Sequence, residues 1–183
     1  METQRLILRR FEPADAADLY EYLSDPLVTK YEPYEPFSYA QCEATAKERA
    51  ENDAFWAVCL KENKKCIGNV YLAKGEQDNW TLGYVFSRAF QKKGYATEAC
   101  RALITHIFTG KQAHRIEAYC NPQNTASYQL LERLTFRREG HFLKNVYFHI
   151  DEHGAPLWQD TYYYALLKEE WNEQSLSQKI KNI

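Results

Sequence analysis

Polar and apolar positions along this chain follow two different periods, and the point where one gives way to the other orders its elements. Residues 55–61, 66–73 and 80–87 are short runs rich in aromatic and branched side chains. The polar stretches ENKK and GEQDN separate them, which predicts an antiparallel meander of three strands. Beyond Gly94 the period lengthens. Ala96, Ala99, Cys100, Leu103, Ile104, Ile107 and Phe108 recur every three or four residues, so 97–109 is expected to be an amphipathic helix, ended by Gly110. Residues 115–120 alternate charged and apolar as a strand, and Leu130, Leu131 and Leu134 stripe a second helix over 124–134. Strands are expected over 136–150 and 158–167, bridged by the polar turn DEHGAP.

The N-terminal third reads as a strand over 5–11, then a helix opened by Pro13 with Ala16, Leu19, Tyr20 and Leu23 on its apolar face. Asp25 and Pro26 interrupt it, YEPYEPF follows as a proline-punctuated loop, and 40–52 is helical in composition. The doubled YEP is too short to be a repeat architecture.

A strand, turn, helix and strand following a meander imply a mixed α/β (α+β) arrangement, in which ligands sit at strand ends near a helix N-terminus. At 183 residues the chain has the length of one domain able to bury its own core; 1–171 is expected to form it and 172–183 a polar tail. A formal charge of -2 gives no reason to expect nucleic acid as a partner. Five cysteines without CxxC spacing suggest neither disulfides nor zinc, and the five histidines lack ligand spacing, so no metal is expected. METQRLILRR is not a secretory leader and no 18 apolar residues run together, which points to a cytoplasmic protein without a membrane span, as a monomer or homodimer.

The turn FQKKGYATEAC carries the first chemical signal. A helix N-terminus presents unpaired N–H groups and partial positive charge, and Gly94 lets a phosphate approach the backbone closely. Lys92 and Lys93 add charge, while Ala96 and Thr97 keep the first turn uncluttered. A solvated basic turn with a left-handed glycine would look the same. Neither GxxxxGK[ST] nor a strand-borne GxGxxG occurs, so the common nucleotide loops are excluded.

QKKGYA at 91–96 is similar to the Q/RxxGxG/A signature of the GNAT acetyltransferases, whose backbone amides take the pyrophosphate of acetyl-CoA. NPQNTASYQLLERLTF resembles a second motif of that family, LGYVF its fourth strand, and the segments at 5–26 and 162–171 the ends of the branch containing ribosomal-protein N-terminal acetyltransferases. The similarity spans about residues 3 to 171. It implies a GNAT fold with a central, mostly antiparallel sheet of about seven strands and about four flanking helices. It further implies a pyrophosphate site at Gln91, Lys92, Lys93, Gly94, Tyr95, Ala96 and Thr97, and a pantetheine arm laid between splayed fourth and fifth strands against Tyr84, Val85 and Phe86.

The resemblance also places Asn124 near the thioester and Ser127 near the departing sulfur as proton donor, with Tyr128 second. A direct transfer from acetyl-CoA to an amine needs positioning and proton management and no covalent enzyme intermediate. Two positions depart from the family: Leu131 stands where many members have a tyrosine, and Thr81 where the branch often has a glutamate. Glu117 on the fifth strand is then the best remaining base, unless a water chain carries the proton. Tyr31, Tyr34 and Phe37, interleaved with Glu32 and Glu35, suit an aromatic, acidic wall for a cationic amine, although they suit a core-covering loop equally well. The expected acceptor is a protein or peptide N-terminal amine; a polyamine or aminoglycoside, and a non-catalytic acetyl-CoA-binding module, remain as alternatives.

Overall fold

The computed structural model describes residues 1–110 and 113–173. Seven strands form one sheet. Strand β1 (Leu6–Arg9) pairs with β2 (Phe55–Leu60), and the expected meander continues antiparallel through β3 (Cys66–Lys74) and β4 (Asn79–Phe86). Strand β4 runs parallel to β5 (Arg115–Cys120), as a helical crossover allows. Strand β6 (Arg137–Val146) forms the far edge, with β7 (Gln159–Leu167) between it and β5, giving the order β1-β2-β3-β4-β5-β7-β6.

Helices cover both faces of the sheet. Residues of α1 (Ala16–Leu23) and α3 (Tyr39–Glu51) build one core with Ala57, Cys59 and Val85, and the short α2 (Pro26–Thr29) lies beside α1. On the other face α4 (Tyr95–Gly110) and α5 (Thr125–Arg133) build the larger core with alternate residues of β3, β4 and β5. The apolar stripe read along α4 is buried as expected, from Ala99 and Cys100 to Ile107 and Phe108, and each large side chain contributes about 1.5–3 kcal/mol of burial.

Several details depart from the reading of the sequence for local reasons. Helix α4 starts at Tyr95 rather than residue 97, because the Glu98 N–H donates to the Gly94 carbonyl and pulls Tyr95 and Ala96 into the first turn. Helix α1 does end ahead of Asp25 and Pro26, but Asp25 then caps the short α2 through the Leu27 N–H, a helix the sequence did not suggest. On α1 the core position belongs to Tyr22, whose hydroxyl donates to Asn69 Oδ1 at 3.0 Å, while Tyr20 packs edge-on against Tyr39 at the surface. With α2 and a helical stretch at 168–173, the helices exceed the expected four. From residue 174 the polar tail lies outside the described residues. Among the described residues, no helix is long and apolar enough to cross a membrane.

Gly68 on β3 leaves no room for a side chain against β4. A Cβ there would stand 2.6 Å from the Val85 carbonyl oxygen and 2.6 Å from the Phe86 ring. Gly68→Ala is therefore expected to destabilise the fold by about 1–3 kcal/mol through overpacking. Urea melts check this: the midpoint should fall with the slope unchanged, and a wild-type midpoint would show that β4 yields without cost.

Candidate active site

The sheet opens in its middle. Strands β4 and β5 are in register over three pairs only, ending at Thr81↔Glu117, although β4 runs on to Phe86 and β5 to Cys120. Their outer edges stay held, β4 by β3 to Gly68↔Phe86 and β5 by β7 to Cys120↔Tyr162. A cavity of about 1260 Å³ occupies the resulting wedge, larger than the roughly 300–1,000 Å³ of ordinary ligand clefts. It is lined from both faces of the sheet: by α4 and α5 on one, and by Leu27, Val28, Tyr31, Glu32 and Pro33 on the other.

At the α4 end the turn is built for close approach. Gly94 has φ +81° and Lys92 φ +59°, so the chain bends twice through the left-handed region before the helix begins. Arg5, just ahead of β1, braces the turn. Its guanidinium donates to the Lys93 carbonyl at 2.9 Å and to Glu98 at 2.7 Å, and stacks over the Tyr95 ring. Burial works against the Glu98 carboxylate, yet bonds from Thr3 and Arg5 keep it below its ordinary value. The expected turn residues Gln91, Lys92, Gly94, Tyr95, Ala96 and Thr97 line the cavity. Lys93 does not: its ammonium sits over the Phe90 ring, 5.3 Å from the centroid. Arg101 and Arg133, which sequence reading passed over, add positive charge to the lining from α4 and α5.

Tyr84, Val85 and Phe86 border the wedge, and here a side chain adds to the expected backbone role. Alternation along β4 turns Tyr84 toward α5, where its hydroxyl lies 3.0 Å from both the carbonyl and the Oγ of Ser127. Burial pushes the phenol well above its ordinary value, against the bond from Ser127. The signal was present in LGYVF: a tyrosine sharing a core-facing stripe with Leu82 and Phe86 needs a partner for its buried hydroxyl. Cys120 stands beside Ser127 as well, and burial pushes its thiol up to about 11. Asn124 lines the cavity while capping α5, its Oδ1 accepting the Ser127 N–H at 3.2 Å. Tyr128 is turned away from the cavity, edge-on to Tyr162.

On the other face of the sheet the expected wall is only partly assembled. Tyr31 lines the cavity, its hydroxyl donating to the Gln123 carbonyl next to Asn124 at 3.3 Å. Tyr34 and Phe37 pack on each other and against the α1 and α3 core, so they anchor the loop. Glu32, half-buried, lines the cavity in their place. Burial pushes its carboxyl up to about 7, opposed by a bond from Tyr34 and the charge of Arg49. Glu117 lies where β4 and β5 are still paired, outside the cavity; it accepts the Tyr163 hydroxyl at 2.6 Å and the Tyr119 hydroxyl at 3.3 Å. His149, on the segment after β6, reaches Glu35 at 2.8 Å and ties that segment to the loop. Among the described residues no cluster of His, Cys, Asp and Glu is placed to hold a metal ion.

A family model described as acetyltransferase (GNAT) domain matches residues 5–137. The chain is 38% identical over 173 residues to the uncharacterized N-acetyltransferase YnaD of Bacillus subtilis (strain 168), covering 93% of this chain and 98% of that one. It is similar to the solved structure of an acetyltransferase (GNAT family) from Bacillus anthracis, with a TM-score of 0.85 and 34% identity over 93% of this chain and 99% of that one. The fold is also that of a spermidine N-acetyltransferase from Vibrio cholerae solved with CoA and spermine, with a TM-score of 0.76 at 20% identity over 92% and 99% of the two chains.

Proposed function

The chain belongs to the GNAT acetyltransferases, and on that premise we propose that it acetylates the free N-terminal amine of a protein or peptide, with residues 1–171 as its one catalytic domain. As a member of the family it is an N-acetyltransferase that takes the acetyl group from acetyl-CoA and delivers it to an amine.

The opening between β4 and β5 carries this reading, because it joins the glycine turn on one face of the sheet to the loop at 31–33 on the other. Backbone amides around Gly94 would hold the pyrophosphate, with Lys92 adding charge. The unpaired edges of β4 and β5 would bond the pantetheine arm as they would an added strand. The thioester then lies near Ser127, where a proton can be supplied to the sulfur while the amine attacks from the loop side. Burial favours the neutral thiol of Cys120, which fits a direct transfer with no covalent enzyme intermediate.

For the acceptor, the useful feature is the sparseness of charge at that end. Of the carboxylates there, Asp160 is committed to the Lys144 N–H and His141, which hold it below its ordinary value, leaving Glu32. Tyr119 and Phe148 line the same mouth and stay exposed. One carboxylate with an apolar rim suits one ammonium followed by uncharged chain better than a polyamine with several cations. Thiol release from acetyl-CoA against short peptides, polyamines and aminoglycosides tests this. Turnover is expected on peptides with free N-termini and not on their N-blocked forms; turnover confined to polyamines or aminoglycosides would replace the acceptor assigned here.

A further inference from the structure

We propose that the Glu32 carboxylate is the general base that takes the proton from the acceptor ammonium, an assignment that rests on the acceptor entering from the loop side of the cavity. Three carboxylates line the cavity among the described residues: Glu32, Glu98 and Asp160. Glu98 is consumed by Thr3 and Arg5 at the far end, beside the glycine turn. Asp160 already accepts from Lys144 and pairs with His141. Glu117, the base expected from the sequence, sits in the last β4–β5 pair outside the cavity lining and is held by the Tyr163 and Tyr119 hydroxyls. Only Glu32 is both in the cavity and free of an ion pair within it.

Its position is fixed rather than incidental. The Glu32 N–H donates to the Thr29 carbonyl at 2.8 Å, and the Phe37 N–H donates to the Leu23 carbonyl at 2.9 Å. Tyr31, its neighbour, bonds to the carbonyl just ahead of Asn124, which brings this loop to the N-terminus of the helix that carries Ser127. Tyr34 from the same loop and Arg49 from α3 are the polar groups facing the carboxyl, with Tyr22 of α1 beyond them. Arg49 is itself spent on Asn69 and on the Phe11 and Phe55 rings, so it tempers the carboxyl without locking it as a salt bridge. A carboxyl of this kind changes charge near neutral pH, where a general base works best.

The ammonium gives one proton to Glu32 and becomes the nucleophile. Its lone pair forms the C–N bond and the C–S bond breaks; the nitrogen sheds its second proton to water, the sulfur takes one from the Ser127 hydroxyl, and water returns a proton to Ser127. The products are the amide and the CoA thiol, and Glu32 returns its proton to solvent.

The test pairs Glu32→Gln with the wild type in thiol-release kinetics as a function of pH, with CoA affinity measured by calorimetry. The wild type needs ionised Glu32 and protonated amine, so kcat/KM should rise through about pH 7. Glu32→Gln should lower kcat on the order of 100-fold or more and move that limb up to the amine's own pKa, roughly 8 for a peptide N-terminus. CoA affinity should stay within about twofold, because Glu32 shares no partner with the glycine turn. A variant with wild-type kcat, or with the limb still near its wild-type position, overturns the assignment. A wild type that binds CoA but acetylates no amine of the panel overturns the acceptor reading and this one together; loss of CoA affinity in the variant would give Glu32 a structural role instead.

Discussion

Gly94→Val is expected to abolish useful CoA binding while leaving the protein folded. The residue sits at φ +81°, where an L side chain is strained, and an added Cβ would lie 3.3 Å from the Arg5 guanidinium that braces the turn. Left-handed strain costs about 1–3 kcal/mol at a non-glycine residue. If the turn relaxes to escape it, the amides at the start of α4 swing away from the phosphates, and each charge-assisted bond lost costs about 1.5–3 kcal/mol more. Affinity should thus fall on the order of 100-fold or beyond, at about 1.4 kcal/mol per tenfold. Calorimetric titration with CoA measures it directly, and the far-UV spectrum with a melting curve shows whether the fold survives. Unchanged affinity in a folded variant would remove the pyrophosphate from this turn.

Ser127→Ala should leave CoA binding nearly intact and slow turnover about 100-fold, the lower range for a lost proton-transfer group. The reason lies in the contact with Tyr84. The Tyr84 hydroxyl donates to the Ser127 carbonyl and meets the Ser127 Oγ at 3.0 Å, so it holds the serine side chain in place beside the departing sulfur. Tyr84→Phe removes that support but keeps the serine, and should cost about 10-fold, with the pH profile below 9 unchanged. The comparison is informative because it separates two arrangements. If Tyr84→Phe slows the reaction more than Ser127→Ala, the tyrosine is the donor and Ser127 only positions it. If neither variant changes kcat, the thiolate leaves without help from this pair.

Periodicity carried a large part of the fold. Strand β5 was legible to the residue at 115–120, since alternation over a half-buried strand leaves one register. The stripe of α4 was equally plain, but not its first turn, because a helix start is decided by where the backbone bonds begin and not by apolar spacing. Lys93 illustrates the limit for charge: sequence counted it with Lys92, while the double left-handed bend sends its ammonium over Phe90 and gives its carbonyl to Arg5. Arg5 itself read only as a strand residue. No local pattern announces a partner 93 positions away, as Glu98 is.

The order of elements, the glycine turn ahead of α4 and, through the motifs, the family and its donor were legible along the chain. Those follow from interactions between near neighbours: side-chain period, glycine at a left-handed bend, unpaired amides at a helix start. Which carboxylate could serve as the base emerged only in three dimensions. Glu32 and Glu117 are both plain acids in the sequence, yet one is drawn half-buried into the cavity by a loop anchored through Tyr34 and Phe37, while the other stands outside it, bonded by Tyr119 and Tyr163. Tyr84 gains its partner only because α5 packs on the same core as the Leu82 and Phe86 face of β4. Ionisation and reach depend on burial and on contacts distant in the chain, and these exist only once the sheet has opened.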